Sequence, residues 1–168
     1  MNQTEILWTE LTWNPASGCT KVSAGCKYCY AENLAENKRG TPAFPVGFDV
    51  VCKPHKLGEP AKLKRPSLIF TNSMTDMFHE QIPDEYRDRI VAAMCAAPQH
   101  RYQVLTKRPE VAAKYFASRR APDCMWLGVT IEHQLTARRL DVLKGISSST
   151  HGCMVFSGPV IVIVNSAW

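Results

Sequence analysis

Short apolar runs alternate along this chain with longer stretches of helical period. Leu68-Ile69-Phe70-Thr71, Tyr102-Gln103-Val104-Leu105-Thr106 and Trp126-Leu127-Gly128-Val129-Thr130 are four or five residues long and rich in branched and aromatic side chains, which predicts buried strands. Each is followed by a polar group and then by a helix pattern. Behind Pro83-Asp84-Glu85, a proline-acidic start, Tyr86, Ile90 and Met94 recur every four residues beside Val91, and Pro98 ends the run. Pro109-Glu110 opens another helix to about Arg119, a further one runs to about Lys144, and Tyr30 to Lys38 forms an earlier one that stops at Gly40. Ile6 to Trp13 predicts an opening strand ending at Asn14-Pro15. The alternation predicts an α/β fold, a mostly parallel sheet with right-handed crossover helices.

The order breaks between Thr41 and Pro66, where Pro42, Pro45, Pro54, Pro60 and Pro66 interrupt any sustained period. This stretch is too short to hold its own core and reads as an excursion within one domain, 1–168, lying over the active edge of the sheet. The chain end differs again: Gly145 to Trp168 contains no Asp, Glu, Lys or Arg. Val160 to Val164 is a run of five β-branched residues, either a completely buried strand or an aggregation-prone segment. The tail lacks the charged face of an ordinary strand-helix unit, which favours a truncated or frame-shifted end over an evolved closing strand.

Composition narrows the class. With 168 residues, 45% apolar and 21% charged, the chain is not a disordered tail. No run approaches the roughly 18 apolar residues of a membrane span, and Met1-Asn2-Gln3-Thr4-Glu5 is no signal-peptide start, so a cytoplasmic protein is expected. In that reducing compartment seven cysteines are read for metal rather than for disulfides. The net charge of +5 is matched by the Arg101 to Lys144 stretch alone, nine basic residues less four acidic ones. Such a stretch suits phosphate, a nucleotide or nucleic acid, and equally a solvated helix face.

Chemistry concentrates after the strands. Cys19 to Cys29, Asn72 to Asp76, Thr106 to Arg108 and Thr130 to His133 each follow a strand, and in a parallel sheet or barrel those ends share one edge. The three thiols are spaced Cys-x6-Cys-x2-Cys around Gly18 and Gly25, a loop able to wrap a soft metal centre. A 4Fe-4S cluster on three cysteines keeps one iron open to a small molecule. Zinc is the alternative, completed from Cys52-Lys53-Pro54-His55, whose thiol and imidazole also read as ordinary loop groups. Cys95, beside Met94 in an alanine-rich helix, reads as a core residue.

The run from Thr12-Trp13-Asn14-Pro15 through Gly18-Cys19-Thr20-Lys21-Val22-Ser23, Gly25-Cys26 and Tyr28-Cys29-Tyr30-Ala31-Glu32 resembles the phage-associated three-Cys-motif family of uncharacterised proteins, which is similar to radical S-adenosylmethionine (SAM) enzymes. The resemblance continues through Asn72 to Glu80, Pro98 to Pro109 and Trp126 to Glu132, and stops near Leu143. It implies an incomplete, radical-SAM-like partial TIM barrel, with a 4Fe-4S cluster on Cys19, Cys26 and Cys29. It implies that Asn72, Ser73 and Asp76 meet the amino group of SAM, and that Lys107, Arg108, Thr130 and Glu132 meet its carboxylate and ribose. The x6 gap departs from the usual radical SAM spacing of three. The implied activity is reductive cleavage of SAM, giving a radical that acts on an unknown substrate. The competing class is a non-enzymatic phage or prophage interaction module with a structural three-cysteine site. A companion partner protein that resembles a methyltransferase is implied as well.

Overall fold

Four strands run parallel because each is returned to the same end by a crossover, and a fifth joins them near the chain end. A computed structural model describes residues 1–149 and 161–164. The strands are β1 Asn2–Gln3, β2 Leu11–Trp13, β3 Ala16–Ser17, β4 Val51–Cys52, β5 Leu68–Thr71, β6 Arg101–Thr106, β7 Met125–Ile131 and β8 Ile161–Val164. The helices are α1 Tyr30–Asn37, α2 Glu59–Lys62, α3 Asp84–Cys95, α4 Pro109–Phe116 and α5 Arg138–Ser149. The main sheet has the order β1-β2-β5-β6-β7-β8. Only β1 is antiparallel to its neighbour; β2, β5, β6, β7 and β8 are mutually parallel.

The parallel strands follow one another in sequence order with no reversal. Right-handed crossovers then carry α3, α4 and α5 to the same face. That face is the core: Ile69, Tyr102, Val104, Met125, Leu127 and Val129 are buried with Ile90 and Met94 of α3, Tyr115 and Phe116 of α4, and Leu143 and Ile146 of α5. The Phe78 ring seals the layer against Tyr115 and Phe116, with centroids 6.1 and 5.9 Å away. The opposite face carries Leu68, Phe70, Leu105 and Trp126, all only half-buried. The described strands form an open sheet, mixed α/β and mostly parallel, and close no barrel.

Several expectations are corrected. The opening strand is confined to Leu11–Trp13, because the chain turns at Ile6 to Thr9, where the Thr9 N–H donates to the Ile6 carbonyl at 3.2 Å. α4 stops at Phe116 rather than near Arg119, and α5 runs past Lys144 to Ser149. Cys95 is exposed, not core. The buried stripe of α3 is Tyr86, Arg87, Ile90 and Met94, and the residue after Met94 is turned about 100° away from it. The Thr41 to Pro66 excursion is not wholly irregular: β4 pairs antiparallel with β3, Ala16 opposite Cys52, and α2 packs on α3. Of the uncharged tail, residues 161–164 form a strand parallel to β7. Residues 145–149 of that tail belong to α5, and Cys153 with the rest of 150–160 and 165–168 lies outside the described residues.

Candidate functional site

The cysteine loop lies between β3 and α1. It leaves the sheet at Gly18, whose φ of +87° is left-handed and whose absent Cβ would lie 2.0 Å from the Asp49 carbonyl oxygen. Only glycine fits there. The Gly18 N–H donates to the Met74 carbonyl at 2.9 Å, and the Thr75 hydroxyl donates to the Gly18 carbonyl, so the loop is tied to the segment following β5. Asn14 fastens the same segment: its Oδ1 accepts the Met74 N–H at 3.0 Å, and its amide pairs with the Ser73 hydroxyl. Cys26 then ends a one-turn helix, Ala24–Cys26, and Cys29 precedes α1.

Arg108 organises the edge. It is 4% exposed and directs its guanidinium fork at three partners. Nε donates to Glu80 at 3.0 Å, Nη2 to the Thr20 carbonyl and hydroxyl at 3.0 and 2.8 Å, and Nη1 to Cys19 Sγ at 3.4 Å. Asp76 Oδ2 stands 3.6 Å from Nη1. The Asp76 carboxylate also accepts the Phe78 N–H at 3.0 Å, the Thr106 hydroxyl at 2.8 Å and the Lys107 N–H at 2.9 Å. Both Asp76 oxygens are therefore occupied within the protein. Thr20 extends the network to His79, whose Nε2 lies 2.9 Å from the Thr20 hydroxyl, while its Nδ1 accepts the Gln81 N–H at 3.1 Å. That pair of contacts sets the tautomer: the proton sits on Nε2.

Glu132 holds the other side of the loop. Its Oε1 accepts the Ser23 hydroxyl at 3.1 Å and lies 3.5 Å from Lys107 Nζ, and its Oε2 accepts Arg139 Nη1 at 2.7 Å. Arg139 also donates to the Thr130 carbonyl at 2.7 Å. A Cβ on Gly25 would fall 2.3 Å from Glu132 Cγ, so the bare glycine is what lets the loop close on this carboxylate.

The two charge sets act differently on the thiols. Burial pushes the Cys19 thiol above its ordinary value, against the pull of Arg108. Burial acts the same way on Cys26, but hydrogen bonds with the backbone at Val22 and Ser23, together with the Lys107 charge, take it below the ordinary value. All six described cysteines are free thiols. Among the described residues no three His, Cys, Asp or Glu side chains are grouped to hold a metal ion. Three half-buried thiols share one loop, and an arginine N–H points at one of the sulfurs. Cys52 packs against the core and His55 is exposed.

The structure thus places Cys19, Cys26, Cys29, Asn72, Ser73, Asp76, Lys107, Arg108, Thr130 and Glu132 at one edge of the sheet. It joins Asp76 to Arg108 and Cys19, and Glu132 to Lys107 and Ser23. Asn72 sits apart from both networks, with φ of +64° and neither amide atom hydrogen-bonded. Thr20, His79, Glu80, Thr106 and Arg139 belong to the site although the reading of motifs assigned them no role. Thr106 was recoverable as the last residue of a strand; Thr20, adjacent to a cysteine, carried no signal of its own.

These features define a singly wound α/β protein with a three-cysteine loop at the carboxyl edge of its sheet. A family model described as Protein of unknown function (DUF5131) matches residues 3–157, and the chain belongs to that family. No curated protein matches it, and no solved structure does. No helix of the described residues is long and apolar enough to cross a membrane.

Proposed function

We propose that this chain is an iron-sulfur protein of radical SAM type, in which Cys19, Cys26 and Cys29 hold a 4Fe-4S cluster and the surrounding edge binds SAM. One observation carries the reading: the cysteine loop is bonded directly to the ends of two successive parallel strands, through Arg108 to Cys19 after β6 and through Glu132 to Ser23 after β7. The carboxyl edge of such a sheet is where ligands bind in parallel α/β folds. The absence of a strand reversal favours a barrel-like winding over a doubly wound sheet. The resemblance to the three-Cys-motif family supports the choice of cofactors.

When bound, a reduced cluster of this kind supplies the electron that breaks the sulfonium bond of SAM, leaving methionine and a 5′-deoxyadenosyl radical. The protein's own groups have separable tasks. Lys107 Nζ is the cation best placed for the carboxylate of an amino acid, since its one described partner is Glu132 at 3.5 Å. Ser73 and Thr130 offer hydroxyls along the same edge. Asp76 and Arg108, engaged with each other and with the loop, hold the Cys19 side in place. In this reading Asp76 orders the loop first and meets an ammonium group only by giving up one of its present donors.

Anaerobic purification followed by iron, acid-labile sulfide and zinc assays tests the reading. Iron and sulfide in equal amounts, lost together in Cys26→Ala, are expected. Stoichiometric zinc without sulfide would overturn it and leave the structural interaction module, with the methyltransferase-like companion as its natural partner.

A further inference from the structure

The sheet face turned away from the helices carries a row that the cysteine site does not use. By strand register Phe70, Gln103 and Trp126 are direct neighbours on β5, β6 and β7, so their side chains share one face. Trp8 lies against this row, its ring meeting Phe70 edge-on with centroids 4.7 Å apart. The Trp8 carbonyl accepts Gln103 Nε2 at 3.1 Å. A carbonyl needs a donor, so this contact sets the orientation of the amide and leaves Gln103 Oε1 as the remaining group. Gln103 is 3% exposed, and its Oε1 is buried with no hydrogen-bond partner. Two residues beyond Phe70, Asn72 follows the end of β5 in a left-handed turn, with both amide atoms buried and equally unpartnered.

Unpaired buried amides are costly and rare in folded proteins, and each calls for a cause. Two of them, Gln103 on β6 among the aromatic rings and Asn72 in the turn just past β5, match the composition of a small-molecule site: apolar walls with a few polar groups. No Asp, Glu, Lys or Arg belongs to the Phe70, Gln103 and Trp126 row, and Arg101, two positions before Gln103 on the same face, is exposed and turned to the Pro98 and His100 carbonyls, so the row itself favours a neutral ligand. A flat ring with donors and acceptors on its edge satisfies both the rings and the amides.

We propose that this face binds a neutral nucleobase, lying against Phe70 and Trp126, with a ring or exocyclic N–H donating to Gln103 Oε1 and its outer edge paired with the Asn72 amide. Gln103 lies three residues before Thr106, about 10 Å along the strand at ~3.3 Å per residue. The base therefore sits beneath the cysteine edge, and its assignment as substrate rather than cofactor adenine rests on the function proposed above. The site stands on the sheet register alone and not on the presence of a cluster.

Calorimetric titration of the full-length chain, with and without reconstituted iron, uses adenine, hypoxanthine, cytosine and uracil as probes and toluene as a ring without a hydrogen-bonding edge. At least one base should bind saturably and more tightly than toluene, and S-adenosylhomocysteine should not displace it. Gln103→Leu should weaken that base about tenfold or more. The proposal is overturned if no base binds, if toluene binds as well, or if Gln103→Leu leaves affinity unchanged. Displacement by S-adenosylhomocysteine would assign the face to the cofactor adenine and end the substrate assignment. Iron and sulfide content decides the cluster reading separately, so either result can fail without the other.

Discussion

Arg108 and Glu132 grip the cysteine loop from two sides, and their variants separate folding from metal loading. Arg108→Gln removes the fork that reaches Cys19, Thr20 and Glu80, leaving Asp76 without its cation. Urea unfolding should register a loss of about 2–4 kcal/mol. Iron content should fall further in this variant than in an equally destabilised core variant; equal losses would make Arg108 a purely structural residue. Gly25→Ala drives a methyl into Glu132, which Ser23, Lys107 and Arg139 hold in place. A destabilisation of about 1–3 kcal/mol is expected in thermal or urea melts. His79 reports on pH. Burial first, then the Arg108 charge, lowers its pKa below the ordinary 6.5, so the unfolded chain binds a proton that the folded chain resists. Stability should be fully present at neutral pH and decline as pH falls through about 6.5 toward the lower folded value. Protonation at Nδ1 would also break the bond from Gln81. Denaturation midpoints measured at pH 7.5 and 5.5 should differ less in His79→Gln than in the parent; an equal slope would assign the dependence elsewhere.

Among the elements, α3 shows how far periodicity reaches. Its start at Asp84 and its buried Tyr86, Ile90 and Met94 match the pattern in the chain, because a helix face is set by residues three and four apart. Ile90 is fully buried, and Ile90→Ala should cost about 2–5 kcal/mol in urea unfolding. A smaller loss would mean that α3 packs loosely on the sheet. The same periodicity did not reveal that Arg87 joins this buried stripe. Its guanidinium donates to the Met77 and His79 carbonyls at 3.1 and 2.6 Å, satisfying backbone groups of the loop that precedes the helix. The strands β5, β6 and β7 were legible because apolar runs of that length have few other uses. The opening strand was overread: its apolar and aromatic residues are shared between a sheet segment and the turn that lays Trp8 against Phe70.

At the scale of the whole molecule, the basic stretch from Arg101 to Lys144 is not simply an outward-facing surface. Arg108 and Arg139 are buried in ion pairs, and Arg119 pairs with Asp88 at 2.7 Å while its guanidinium lies over the Tyr115 ring at 4.6 Å. Much of the excess charge thus serves packing. The uncharged tail has a structural task too, since β8 covers the outer edge of β7. Ending the chain after Ser149 should expose that edge and produce association detectable by size-exclusion chromatography; a monodisperse product would show β8 to be dispensable. The alternation of strand and helix, the parallel class, the three-cysteine spacing and the clustering of polar residues after strands were all determined by the sequence itself, since each rests on neighbours within a few positions. Only the tertiary structure decided that Arg108 donates to Cys19, 89 positions away, that Thr106 joins Asp76, and that Gln103 is left with an unpaired oxygen on the face away from the helices. Those outcomes depend on which strand lies beside which and in what register, and no local period along the chain encodes either.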